Sequence, residues 1–253
     1  MTRVDLHVKV LNQSVINRAK AAELDVLVYA PHFTQLHDIQ ATAEAYTSDD
    51  LQIIPAREIF TGPWWKRRHI LAIGLTEPVP DFIPLDCAIH EVTRQDAALL
   101  IPHPEFLSVS LAQSDIETYA EYIDAVETYN PKLLPHHNKR AERLAETLTL
   151  QPFGSSYAHL SQTVGEVWTE VAREIATTED LRDAIIDQQL HSIGYNQHIT
   201  HHVKRAVEVG HLGWENTWHK FKRVVLEGEE ETHPANPCYP DHFLREMDTY
   251  SSR

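Results

Sequence analysis

The sequence predicts an α/β protein organised as a parallel sheet or βα barrel, and two observations carry that expectation. Strand-like apolar runs alternate along the chain with segments of helical periodicity. Titratable side chains recur at the ends of those runs, where the loops of βα architectures gather a site from several strands. The 253 residues suffice for one large α/β domain, or for a domain of about 100 to 200 residues with an extension.

The first strand is "VDLHVKV", in which Val4, Leu6, Val8 and Val10 alternate with Asp5, His7 and Lys9, so one face is apolar and the other chemical. "SVINRAKAAEL" follows with Val15, Ile16, Ala19, Ala22 and Leu24 at helical spacing. Further strands are expected at "DVLVYA" (25–30), "QIIPA" (52–56), "HILAIG" (69–74), "ALLIPH" (98–103) and "DAVETY" (124–129). "CAIHEVTRQDAA" and "HHNKRAERLAETL" have the pattern of intervening helices. Past about residue 175 the pattern turns helical, beginning at "TTEDLRDAIIDQQL", where Thr177 or Thr178 can cap and the early acids suit the helix dipole. "GHLGWENTWHKFKRVVLEG" is amphipathic, with Leu212, Trp214, Trp218 and Phe221 expected to face the barrel. The acidic run and the prolines 234, 237 and 240 within "EGEEETHPANPCYPDH" predict an irregular tail. The boundaries expected are a barrel over 1–175 and an extension over 176–253.

Composition narrows the function. With 37 acids against 22 bases the formal charge is −15, which disfavours general coating of nucleic acid. No apolar run reaches the length of a membrane span, and "MTRVDLHV" lacks the pattern of a secretory signal, so a cytoplasmic protein without membrane contact is expected. Cys87 and Cys238 lie far apart and outside any paired zinc spacing, as reduced thiols would. Seventeen histidines supply abundant potential metal ligands. The pairs and clusters at His136, His137, His198, His201 and His202 read more simply as surface imidazoles. The strand ends supply His7, His32, Glu58, His103 and Glu127, while His69 opens its strand and His159 follows a Gly/Ser turn.

The order "DLHVK", "APHFT", "PAREI", "HILAIG", "IPHPE", "VETYN" and "SSYAH" resembles the PHP superfamily, the polymerase and histidinol phosphatase domain, over roughly residues 3–168. The resemblance implies a distorted, TIM-like βα barrel of seven strands, here with a C-terminal mainly helical extension, and phosphoester hydrolysis by up to three metal ions. It maps metal ligation onto His7, His32, Glu58, His69, His103 and His159. Departures are visible, among them Gln13, Ser14 and Val15 in place of a Ser-Asp-Gly turn. Lys9 stands where the family pattern has a second histidine, Ala30 and Pro31 replace a Thr-Asp pair before His32, and Tyr157 stands where an aspartate is usual.

The set Glu58, His69 and His103 retains a carboxylate and two imidazoles, a donor set suited to zinc, iron or manganese. A second position would keep His7 and a bridging Glu58, and a third only His32 and His159, so fewer than three divalent ions are expected. An ammonium at Lys9 cannot coordinate, but it can neutralise phosphate oxygens or pair with Glu58 or Asp5. Arg68 is a second candidate catalytic cation. Arg67, Lys139 and Arg140, within "WWKRRH" and "HHNKR", form a candidate phosphate-binding patch, and Trp64 and Trp65 either stack a base or cover an apolar edge. The function expected is hydrolysis of a phosphorylated small molecule, nucleotide or short oligonucleotide. The rival is a catalytically inactive PHP-like binding or scaffold protein.

Overall fold

One continuous sheet organises the chain. The computed structural model describes residues 1–63, 66–105, 110–196, 231–240 and 243. Its strands are β1 (Thr2–Val8), β2 (Val26–Tyr29), β3 (Gln52–Thr61), β4 (Arg68–Ile73), β5 (Ala98–Ile101), β6 (Ala125–Tyr129), β7 (Gln151–Gly154), β8 (Val167–Val171) and β9 (Leu190–Tyr195). The helices are α1 (Gln13–Ala21), α2 (Leu36–Tyr46), α3 (Leu85–Arg94), α4 (Gln113–Thr118), α5 (Pro135–Leu148) and α6 (Thr178–Ile186). The strand order is β7-β6-β5-β4-β3-β2-β1-β8-β9. β1, β2 and β3 pair in parallel, as do β5, β6 and β7, while β4 runs antiparallel to both neighbours.

The sheet therefore has nine strands among the described residues, not the seven the resemblance implied. β8 and β9 are antiparallel additions at the free edge of β1, where they approach β7 and nearly close the barrel. At the seam Gly154 N–H donates to Thr169 Oγ1 at 3.0 Å, and the same hydroxyl donates to Gly154 O at 2.9 Å. Val8 forms a parallel bridge with Ala158 beside it. β9 lies beyond residue 175, in a stretch where the sequence pattern predicted helix, and it pairs along β8 from Val167↔Tyr195 to Val171↔Leu190.

Val4, Leu6, Val26, Val28, Ile54, Ala56, Leu71, Ile73, Leu100 and Phe153 pack in one cluster, with α6 contributing Leu181 and Ile185. Val8 packs in a different cluster, with Val15, Ile16 and Ala19 of α1 and Leu51 and Ile53. The apolar alternation of the first strand is thus broken. The register of β1 against β2 shifts between Asp5 and Val8, with one extra residue on β1, and such a bulge re-aims the side chains that follow it. Both faces of the strand are buried, so Asp5 and His7 meet protein and not solvent.

Local signals set the helix starts. Asn12 caps α1 by accepting from Ser14 N and Val15 N, and Thr177 caps α6 in a reciprocal box with Asp180. Residues 231–240 are irregular but docked. Asp81 N–H donates to Thr232 O at 2.8 Å, and Tyr239 and Phe243 join the cluster of α3, α4 and α5 side chains outside the sheet. Trp64, Trp65, His198, His201, His202, Leu212, Trp214, Trp218 and Phe221 lie outside the described residues. Among the described residues no helix is long and apolar enough to cross a membrane.

Candidate metal centre

Side chains from β1, β2, β4 and β5, or from the turns after them, converge on one buried carboxylate. Glu58 sits on β3 and is wholly buried. His69 comes from the start of β4, in register with Phe60, which places it diagonally across the antiparallel pair from Glu58. His7 comes from β1, Lys9 and His32 from the turns after β1 and β2, and His103 from the turn after β5. His103 and Tyr157 both adopt left-handed backbone, with φ of 34° and 47°. Non-glycine residues hold that conformation at a cost of about 1–3 kcal/mol each, and such strain concentrates at functional sites.

The two oxygens of Glu58 face different partners. Oε1 lies 3.2 Å from His103 Nε2, 3.3 Å from His69 Nδ1 and 3.6 Å from His7 Nε2. Oε2 lies 2.5 Å from Lys9 Nζ and 2.8 Å from His32 Nε2. Lys9 pairs with Glu58 and not with Asp5, and its ammonium also donates to Ala30 O at 2.7 Å. Asp5 accepts instead from Ser156 N–H and Gly165 N–H, both at 3.0 Å, and ties β1 to the loop after β7.

Glu58, His69 and His103 can converge on one ion, each offering a ligand atom within 4.8 Å of the others. The fit is supported by orphaned donors. Both ring nitrogens of His7 and of His69 are buried without a hydrogen bond, although one nitrogen of each stands close to Glu58 Oε1. A buried imidazole left this way is costly, and a cation here would take the lone pair of one nitrogen on each ring. The group's electrostatics agree. Burial holds the His7 imidazole well below its ordinary range, with Lys9 adding to the effect, and pushes His69 down to about 4 and His32 down to about 3. Neutral imidazole is the ligating form. Burial alone would raise the Glu58 carboxyl, but Lys9, His69, His32 and His7 around it pull it well below the usual carboxylate range.

Supporting groups fix the ligands. His103 Nδ1 is 2.8 Å from Ser110 Oγ, which leaves Nε2 directed at Glu58. Glu127, on β6, accepts from His103 N–H at 2.7 Å, Asn130 Nδ2 at 3.0 Å and Ser155 Oγ at 2.5 Å. Burial raises its carboxyl against those donors. Phe60 packs 4.0 Å from the His69 ring and 5.2 Å from the His32 ring, centroid to centroid. The Tyr157 ring sits 4.9 Å from both His7 and His103 and 4.7 Å from His159. Lys132 donates to Tyr157 O, and its ammonium lies 4.9 Å from the same ring.

His7, Glu58, His69, His103 and His32 are brought together around one carboxylate. His159 stands beside His32 with ring centroids 5.6 Å apart and Nδ1 3.1 Å from Tyr157 O. Burial again, with Lys132 next, holds its imidazole well below the ordinary range. Arg67 is buried with its guanidinium 5.3 Å from the Phe60 ring. Arg68 pairs with Asp115 of α4. Lys139 and Arg140 are exposed near the start of α5, Arg140 pairing with Glu105 at 2.7 Å. Ser110, Asn130 and Lys132 were not anticipated from sequence. Asn130 and Lys132 carry a faint signal in "TYNPK", a turn following a strand, whereas Ser110 lies seven residues from the histidine it contacts and carries none.

Comparison with known proteins agrees with this architecture. A family model described as PHP-associated matches residues 135–190. No curated protein matches the chain. The fold is similar to PsfC from Pseudomonas syringae, with a TM-score of 0.61 and 19% identity over 84% of this chain and 100% of that one. It is similar to a candidate metal-dependent phosphoesterase from Bifidobacterium adolescentis, with a TM-score of 0.51 and 12% identity over 74% of this chain and 96% of that one. An amidohydrolase from Chromobacterium violaceum, solved with bound sulfate and no metal, matches at a TM-score of 0.52 and 12% identity over 64% of this chain and 89% of that one.

Proposed function

We propose that this chain, a PHP-superfamily protein, is a metal-dependent phosphoesterase acting on a phosphorylated small molecule, nucleotide or short oligonucleotide. The observation that carries the reading is Glu58 Oε1, a buried carboxylate oxygen faced by His7, His69 and His103 at 3.2–3.6 Å. Glu58, His69 and His103 would hold the ion, with His7 beside them. Zinc, manganese and iron all accept this donor set. A divalent ion held there supplies Lewis acidity toward a phosphoryl oxygen and acidifies a coordinated water.

The chain's own residues do the remaining work. Ser110 orients His103, Phe60 orients His69, and the Glu127 network fixes the backbone from which His103 projects. Lys9 and Lys132 bring positive charge to a buried site in a protein that is acidic overall, which favours a phosphate there over a neutral ester. Arg67, Lys139 and Arg140 remain candidates for binding the rest of the substrate, and Arg68 for stabilising charge in the reaction.

One observation favours the rival of a binding protein without turnover. The Tyr157 ring lies against His7, His103 and His159, where it limits the room around the carboxylate. Protein purified without chelator, supplied in turn with zinc, manganese and ferrous iron, should hydrolyse members of a panel of phosphomonoesters and short oligonucleotides. The His69→Ala variant should lose both metal and turnover. Metal without turnover across the panel would favour the binding protein, and neither would sink the metal reading.

A further inference from the structure

We propose that Lys9 is a built-in second cation of this centre, so that the site takes one divalent ion, on the Oε1 side of Glu58, while the ammonium holds the Oε2 side. The proposal deepens the phosphoesterase reading and rests on its metal site.

The division of Glu58 carries the argument. A carboxylate can bridge two cations by giving one oxygen to each. Here Oε1 is faced, among the described residues, by imidazole nitrogens alone, and those of His7 and His69 are buried without a hydrogen bond. Oε2 is already in contact with a full positive charge at 2.5 Å. The ammonium is itself fixed, by Ala30 O at 2.7 Å and by the Tyr157 ring 5.7 Å away, and Lys9 is buried. An ion approaching Oε2 would have to displace Lys9 or stand next to it in a poorly solvated interior, and either is strongly unfavourable. Among the described residues His32 is the one imidazole at that oxygen, at 2.8 Å, too few donors to offset that repulsion. The Oε1 side has the opposite character, with several imidazole donors and, among the described residues, no cation in contact.

Two of the three N–H bonds of Lys9 are directed at Glu58 and Ala30. The third is the donor that can reach an oxygen of a bound phosphate. Lys9 would then serve in two roles, orienting the carboxylate that holds the ion and placing charge on the substrate side.

The test counts metal. The parent protein, loaded with excess manganese or zinc and then desalted, should carry one equivalent per chain by elemental analysis, and anomalous diffraction should place it against Glu58 Oε1, His69 and His103. Lys9→His removes the cation and adds a donor beside Oε2, and a folded variant should carry two equivalents. Two or more ions in the parent would overturn the proposal and leave the phosphoesterase reading intact. No ion in the parent would overturn both. A Lys9→His protein that keeps its circular dichroism spectrum but still carries one ion would show that something other than the ammonium limits the count. Should that variant fail to fold, the parent's stoichiometry and the position of its anomalous peak still decide.

Discussion

Ser110 and His103 stand with Oγ 2.8 Å from Nδ1, on the side of the imidazole away from Glu58. The contact fixes which ring nitrogen faces the carboxylate and holds the ring plane. Outer partners of this kind tune metal affinity by about 10–100-fold. Ser110→Ala is therefore expected to weaken metal binding within that range without abolishing it, measured by calorimetric titration. Unchanged affinity would mean that the backbone turn alone positions the ring.

Removing the imidazole itself should do more. His103→Ala deletes one of three converging ligands, and bound metal and any phosphoesterase turnover are expected to fall together. His90→Ala, exposed on α3, is the matched control and should leave both unchanged. Metal content by elemental analysis on folded protein checks the pair. A His103→Ala protein with full metal would remove His103 from the ligand set.

Glu58, His69 and His103 were singled out from the sequence by their place in the order of motifs that resembles the PHP superfamily, and the structure brings the three within reach of one ion. The pairing of Lys9 was narrowed to Glu58 or Asp5, and distance chose between them. What was hidden has physical causes. The bulge at His7 leaves no trace in a period-two pattern that runs through it, so Val8 changes cluster without changing type. β7 is four residues, "QPFG", whose Pro152 and Gly154 argue against a strand by propensity, and only its neighbours make it one. β9 is half exposed with a mid-strand glycine, Gly194, whose missing Cβ leaves room for the Trp168 indole. Lys132 is buried by tertiary folding, and a lysine after a proline reads as surface loop.

A second buried ion pair lies beside the site and should matter for stability. Arg57 is 1% exposed and donates to Thr34 O at 2.9 Å and to Asp81 Oδ1 at 3.1 Å, while Asp81 Oδ1 also accepts from Phe60 N–H. It ties together the turn that carries His32, the strand that carries Glu58 and the loop that meets Thr232. Arg57→Leu leaves the Asp81 carboxylate buried without its cation, and a loss of about 3–5 kcal/mol is expected by urea unfolding. Arg57→Leu with Asp81→Asn should recover part of it, since the stranded charge is gone. No recovery would show that the loss came from the guanidinium's other contacts, to Thr34 O and Val79 O.

The barrel seam offers the sharpest test of the fold. At Gly154 an added Cβ would stand 2.5 Å from Ile193 Cγ2, 3.0 Å from Val167 Cγ1 and 3.3 Å from Tyr129 O, so β7 can approach β8 and β9 only because the position has no side chain. The same residue exchanges two hydrogen bonds with the Thr169 hydroxyl and leads directly into Ser155 and Ser156, which hold Glu127 and Asp5. A clash here therefore presses on the supports of the site as well as on the sheet. Gly154→Ala is expected to cost about 1–3 kcal/mol, the usual range for overpacking, and to weaken metal binding through the displaced Glu127 network. Ile193→Ala removes the atom in closest conflict, so the double variant should be more stable than the sum of the two single losses predicts. Strict additivity in that cycle, measured by urea unfolding at one temperature, would mean that β9 does not press on Gly154 and that the seam is looser than these distances require.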